Sequence, residues 1–228
     1  VTPIQFEEAR VQREVKVINN LVSLRTAEAQ FRLDKGYFTA DLDSLVDYLK
    51  VTPKKEVYKV GSLTEKQLED GMTENKAAKI LERARLKAQR KMKFQGADSL
   101  NLLYNYIWEN DREVKAEGLQ GFRRDTILTN MIQSLYKGQY TEENIGEIVY
   151  IPYTDNVKFE VETNNEYTTS QGIKVPIFEI RAHYNTYLHD LNDQERVNII
   201  DKEEKLEHYP GLKVGSVEAP NNNAGNWE

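Results

Sequence analysis

From Pro3 to Leu33 apolar residues recur at helical spacing without a break, and Asp34-Lys35-Gly36 then stops them. A periodic run of about nine turns predicts one long helix, which any fold for this chain has to accommodate. Ile4, Val11, Val15, Ile18, Val22 and Ala29 mark one stripe on it, and Val17, Leu21, Leu24 and Phe31 mark a second beside the first. Two adjoining stripes predict a broad buried face. Pro3 suits the first turn, where its missing N–H costs nothing. Gly36 stands where a left-handed C-terminal cap belongs. The stretch Glu7 to Lys16 is charge-rich and is expected to project from the body before the apolar face widens.

After a Gly-Tyr turn, Leu42, Leu45, Val46 and Leu49 predict a short second helix, ended by Pro53. Val57 to Leu63 reads as a strand, followed by a capping box from Ser62 to Glu65. Residues 73 to 93 predict a helix capped by Thr73, and from Lys76 to Lys93 it carries Lys76, Lys79, Arg83, Arg85, Lys87, Arg90, Lys91 and Lys93 against one acid, Glu82. Leu100, Leu103, Tyr104, Ile107 and Trp108 form a further apolar helix face, and Ile127, Leu128, Met131, Ile132, Leu135 and Tyr136 another. Beyond Gly138 the period changes. Val157 to Glu162 alternates as a half-buried strand does, and Ile148 to Ile151 and Phe178 to Tyr184 read as further strands. Thr163 to Gly172 reads as an exposed polar loop, and Pro176 belongs at the beginning or edge of its strand. Asp193 to His208 reads as a helix with Val197, Ile200 and Leu206 inward, although Val197 to Ile200 also suits a strand.

These elements add up to an α+β protein: a long N-terminal helix over 1–36, and an α+β body over 37–228 that is helical from 37 to 146 and contains a small antiparallel sheet from 147 to 219. The tail 220–228 is turn chemistry that ordinarily stays disordered. Trp227 argues otherwise, because a large ring at the extreme end either docks on the body or contacts a partner. Lys59-Val-Gly-Ser62 recurs as Lys213-Val-Gly-Ser216, which raises the option of two equivalent strand-to-turn units lying side by side.

The run from Val17 to Leu45, with its Arg25-Thr-Ala-Glu-Ala-Gln-Phe31 segment and the Gly36-Tyr37 turn, resembles the exposed half of the long helix in type IV pilin-like proteins and pseudopilins. Together with Gly172-Ile-Lys-Val-Pro-Ile-Phe-Glu179 and the ending Tyr209 to Glu228, it is also similar to uncharacterised Bacteroidetes proteins with one N-terminal membrane helix and an extracytoplasmic domain. That resemblance implies an anchor, absent here, in the inner membrane and a domain on the periplasmic side, and it brings no activity with it. The chain's first residue is Val1 rather than Met, which fits the same expectation.

Composition narrows function further. Acidic residues number 37 and basic ones 31, a net charge of −6 that argues against general nucleic-acid binding. Cysteine is absent, so no disulfide, thiolate nucleophile or thiolate metal site exists. His183, His189 and His208 lack the spacing of a zinc helix, although His183, His189 and Asp190 could converge after the last strand. No nucleophile elbow, phosphate-binding glycine loop or dinucleotide fingerprint is present. Glu160 and Glu179 could face each other across neighbouring strands, but at outward positions where neither carboxyl is desolvated.

The sequence therefore predicts no catalytic residue, cofactor or metal. Its candidate interaction surface is Lys76, Lys79, Arg83, Arg90 and Lys91 on the basic helix, together with Trp227. Such a helix attracts anionic headgroups or an acidic partner, or is simply a solvated face. Phe94 is the one ring beside it, which counts against base stacking. The expected role is a non-enzymatic, membrane-anchored assembly or interaction protein of the cell envelope, with protein partners or self-assembly and no nucleic acid. The alternative is a periplasmic enzyme or small-ligand binder whose site no motif reveals.

Overall fold

The structure, a computed structural model, describes residues 2–93 and 99–228. It is α+β and divides into two compact units: a discontinuous one of Val1–Pro53 with Asn130–Glu228, and an inserted one of Lys54–Thr129. The expectation of a single body over 37–228 does not anticipate this division, because the insertion's elements make their apolar contacts chiefly with one another.

In the discontinuous unit, α1 (Pro3–Lys35) starts at a capping box in which Thr2 and Gln5 exchange side-chain and backbone bonds. It ends at Gly36 in the left-handed conformation, with φ at 87°. The second predicted stripe is the one that packs: Val17, Leu21, Leu24 and Phe31 are buried, joined by Phe6 and Ala27. The first stripe does not hold along its length, since Ile4, Val11 and Val15 are exposed. The charged first half is helical and partly seated. Phe6 is buried, and Arg13 donates to the Tyr187 carbonyl at 2.7 Å and to Asp190 at 2.5 Å.

The helix α2 (Leu42–Val51) starts at Asp41, whose carboxylate accepts from the amides of Asp43 and Ser44. Against these helices lies an antiparallel sheet in the order β3 (Glu160–Thr168), β4 (Lys174–His183), β5 (Gly211–Gly215). Phe178, Ile180 and Ala182 of β4 with Leu212 and Val214 of β5 close the core. The register shifts between Asn164 and Tyr167, a bulge opposite Pro176. A prolyl residue is tolerated where the ladder is already interrupted. Asn165, freed from pairing by the bulge, accepts from the Phe38 amide at 2.8 Å and donates to its carbonyl at 3.0 Å. The residues 163–168 expected in a loop thus belong to β3, and only the turn near 169–173 is left outside the ladder.

Other expectations move as well. Ile148 to Ile151 is not a strand: Ile145–Val149 is a 3-10 turn, and one bridge joins Tyr150 to Lys158. On α9 (Asp193–Lys205), Val197 is exposed, as is the cap residue Leu206, whereas Ile199 and Ile200 touch the core. The tail docks. Gly225 bridges Val214, the Asn226 side chain ties the Lys213 amide to the Gly211 carbonyl, and Arg25 holds Glu228 at 3.0 Å. Those bonds supply what the turn composition alone lacks.

In the inserted unit, β1 (Lys54–Val60) pairs antiparallel with β2 (Arg123–Thr129). Ile127 and Leu128 therefore lie on a strand, not on the helix expected for them; α7 (Met131–Tyr136) begins only after Asn130, whose side chain accepts from the Gln133 amide. The helices α3 (Glu65–Glu69), α4 (Glu74–Lys91), α5 (Ser99–Asn110) and α6 (Arg112–Ala116) complete the unit. The cap of α3 is Thr64 with Gln67, two residues later than the Ser62–Glu65 pair expected. The two Lys-Val-Gly-Ser copies lie in different sheets, so they do not pair with each other. What they share is local: Gly61 and Gly215 both have positive φ, and a Cβ on either would meet a neighbouring backbone carbonyl oxygen, at 2.6 and 2.1 Å.

Candidate interaction surface

The basic helix forms for ordinary reasons. Thr73 caps α4 by accepting from the Lys76 amide at 3.2 Å, Glu74 sits in its first turn, and Arg90 and Lys91 sit in its last, each favoured by the helix dipole. Ala77, Ile80, Leu81, Ala84 and Ala88 are buried, and the alanines let α5 approach with Leu103, Tyr104 and Ile107. This apolar face fixes the opposite one in solvent. Lys76, Lys79, Arg83, Arg90 and Lys91 are all exposed, as is Lys87. Phe94 lies outside the described residues.

Two of the cations are engaged. Lys76 Nζ donates to the Gly71 carbonyl at 2.8 Å, and Arg83 pairs with Glu113 at 2.7 Å. Lys79, Lys87, Arg90 and Lys91 have no carboxylate partner among the described residues. Lys76, Lys79 and Arg83 line a groove of about 790 Å³ whose far side is α3 and the end of α6. Lys66 of α3 adds a fourth cation there, against Asp70 and Glu117. Gln67 braces the wall by donating to the Glu117 and Gly118 carbonyls at 2.8 and 3.1 Å. Lys66 escaped the sequence reading because one lysine in a five-residue helix carries no periodic signal; the Thr64–Gln67 capping box was the usable clue. Arg90 and Lys91 continue the cation row along α4 beyond this groove.

Trp227 belongs to the other unit and is not part of this surface. It is partly buried against the core, and Gly225 is required beside it, since a Cβ there would come within 2.5 Å of the indole. The ring lines a second cavity, about 520 Å³, shared with Arg10, Glu14, Tyr184, His208 and Tyr209. Glu14 accepts from the Tyr187 hydroxyl at 3.0 Å and from Arg10 at 3.1 Å, while burial pushes its carboxyl above the usual range. His208 lies 3.0 Å from Glu203.

The other suspected groups are spoken for. His183 Nδ1 accepts from the Asn185 amide at 3.0 Å, and burial lowers its pKa. The hydrogen bond from Arg13 holds the Asp190 carboxyl down at about 2. His183, His189 and Asp190 do not assemble a metal site, and no cluster of metal-ligating side chains exists among the described residues. Glu160 pairs across strands with Arg181 rather than with Glu179. Glu179 is not outward in the solvated sense, being 7% exposed, and it is held by Arg181 at 2.7 Å and Lys213 at 3.2 Å. A carboxylate neutralised by two cations is a strut of the sheet, not a general base.

No protein-family model, curated protein or solved structure matches this chain.

Proposed function

We propose that this is a non-enzymatic, membrane-anchored interaction protein on the periplasmic side of the inner membrane, working through the basic face of α4. The observation that carries the proposal is the row Lys79, Lys87, Arg90 and Lys91, exposed and without carboxylate partners among the described residues in a chain of net charge −6. An acidic chain that keeps such a row solvated retains a strong local field for anionic headgroups or an acidic protein. The pilin-like helix and turn support the anchor and the envelope setting.

The test is sedimentation with vesicles of phosphatidylglycerol against vesicles of phosphatidylcholine. Each basic residue near an anionic surface contributes about 1 kcal/mol, so reversing Arg83, Arg90 and Lys91 to Glu weakens binding by at least about 100-fold. Unchanged binding to phosphatidylglycerol would remove the lipid reading. About 20 apolar residues encoded upstream of Val1 would establish the anchor.

A second reading, a small-ligand binder, is favoured by one feature: the cavity under Trp227, where Glu14, Glu203, Glu207 and His208 converge. Its signature is protection of Trp227 fluorescence by a bound solute, which a purely assembly-directed protein does not show.

A further inference from the structure

Meeting the four-cation groove at Lys79, between α4, α5 and β2, lies a smaller cavity of about 400 Å³ lined by Asn75, Lys79, Glu82, Arg85, Tyr104, Asp125 and Thr126, with Arg124 at its wall. Its inventory of donors and acceptors is unbalanced. Arg85 Nε is fully buried and has no hydrogen-bond partner. A buried guanidinium N–H without an acceptor is costlier than an exposed one, so a native site that keeps one calls for an acceptor.

The acidic neighbours do not supply it. Asp125 is turned to other partners, accepting from the Tyr104 hydroxyl at 2.6 Å and from Arg123. Glu82 is exposed and makes no hydrogen bond or ion pair with a described residue. Arg124 contributes no spare charge, because Glu74 takes both ends of its guanidinium at 2.9 and 3.1 Å and the Val60 and Gly61 carbonyls take the rest. What is left free around the cavity is mostly donors, Arg85, the Lys79 ammonium, the Asn75 amide and the Thr126 hydroxyl, against one free carboxylate, the exposed Glu82.

We propose that this cavity binds a small oxyanion, a polycarboxylate or a phosphate ester, with two of its oxygens on the guanidinium edge of Arg85 and the Lys79 ammonium on a third. The planar fork of arginine matches paired oxygens, and a lysine nearby adds a compact charge. A volume of about 400 Å³ holds a molecule of citrate size. The site shares Lys79 with the exposed row, but Arg85 faces this cavity alone and is the residue that separates the two readings.

The experiment is isothermal titration of the full chain with citrate and, separately, with inorganic phosphate, at fixed ionic strength. Saturable binding of one anion per chain is expected with at least one of the two probes. Arg85→Met weakens it at least 10-fold, and Arg85→Lys, which keeps the charge but loses the planar fork, weakens it less. Arg90→Met leaves it unchanged. Thermal melting shows whether Arg85→Met is folded; if it is not, Lys79→Met is the second variant, also expected to weaken binding. Absence of saturable binding to either probe overturns the proposal, as does equal affinity in a folded Arg85→Met or Lys79→Met. Vesicle binding by Arg85→Met is expected to match the parent, so a failed anion site and a failed lipid surface give different results.

Discussion

Glu28 in α1 is fully buried, and its carboxyl has a single hydrogen bond: Oε2 accepts from the Thr39 amide at 3.1 Å, while Oε1 has none. Burial raises its pKa from 4.5 to about 8. The folded state thus favours the neutral acid more than the unfolded chain does. The contribution of Glu28 is most favourable below pH 4.5, where both states are protonated; it falls as pH rises toward 8, and the full cost remains above 8. A shift of about three and a half units corresponds to a ceiling of roughly 5 kcal/mol, and allowing for local relaxation the loss is about 3 to 5 kcal/mol. Glu28→Gln keeps the shape of the neutral acid and its acceptor for Thr39 while removing the titration. Urea unfolding followed by circular dichroism at pH 5, 7 and 9 is the assay. The variant is expected to lie within about 1 kcal/mol of the parent at pH 5 and to exceed it by about 3 kcal/mol or more at pH 9. Parallel stability curves across that range would refute the reasoning, because the glutamate would then be ionised and compensated in the fold.

Two further outcomes follow from the geometry. Gly36→Ala, at φ 87° with open space where the Cβ would go, costs about 1 kcal/mol, whereas Gly215→Ala, at φ 77° with the Phe178 carbonyl 2.1 Å from that Cβ, costs at least about 2 kcal/mol more, read as the difference in urea midpoints. Asp190→Asn loses the pair with Arg13. Because Asp190 is half exposed, the loss at pH 7 is about 1 kcal/mol or less, and it shrinks as pH falls from 3.8 toward about 2, where the parent's own carboxylate is protonated.

The long helix, the Gly36 cap, the Asp41 helix and the basic helix behind Thr73 were legible in the sequence, because each rests on local chemistry: helical period, a capping side chain, a residue free to take positive φ. The cations of α4 were legible for the same reason, since an apolar face of Ala77, Ile80, Leu81, Ala84 and Ala88 forces charges four residues apart to the other side. Several things were decided only by tertiary structure. Ile127 and Leu128 look helical in sequence and become a strand because Lys54–Val60 offers them a ladder. Thr163 to Thr168 looks like a loop and becomes β3 for the same reason, with β4 as partner. Neither strand can be read from one segment, since a ladder's hydrogen bonds belong to two. The division into two units, the seat for Trp227, the place of Lys66 in the groove and the isolation of Arg85 likewise depend on residues far apart in the chain. Periodicity specifies which face of an element is apolar; only packing specifies which of two apolar stripes on α1 is covered, and which buried donor is left without an acceptor.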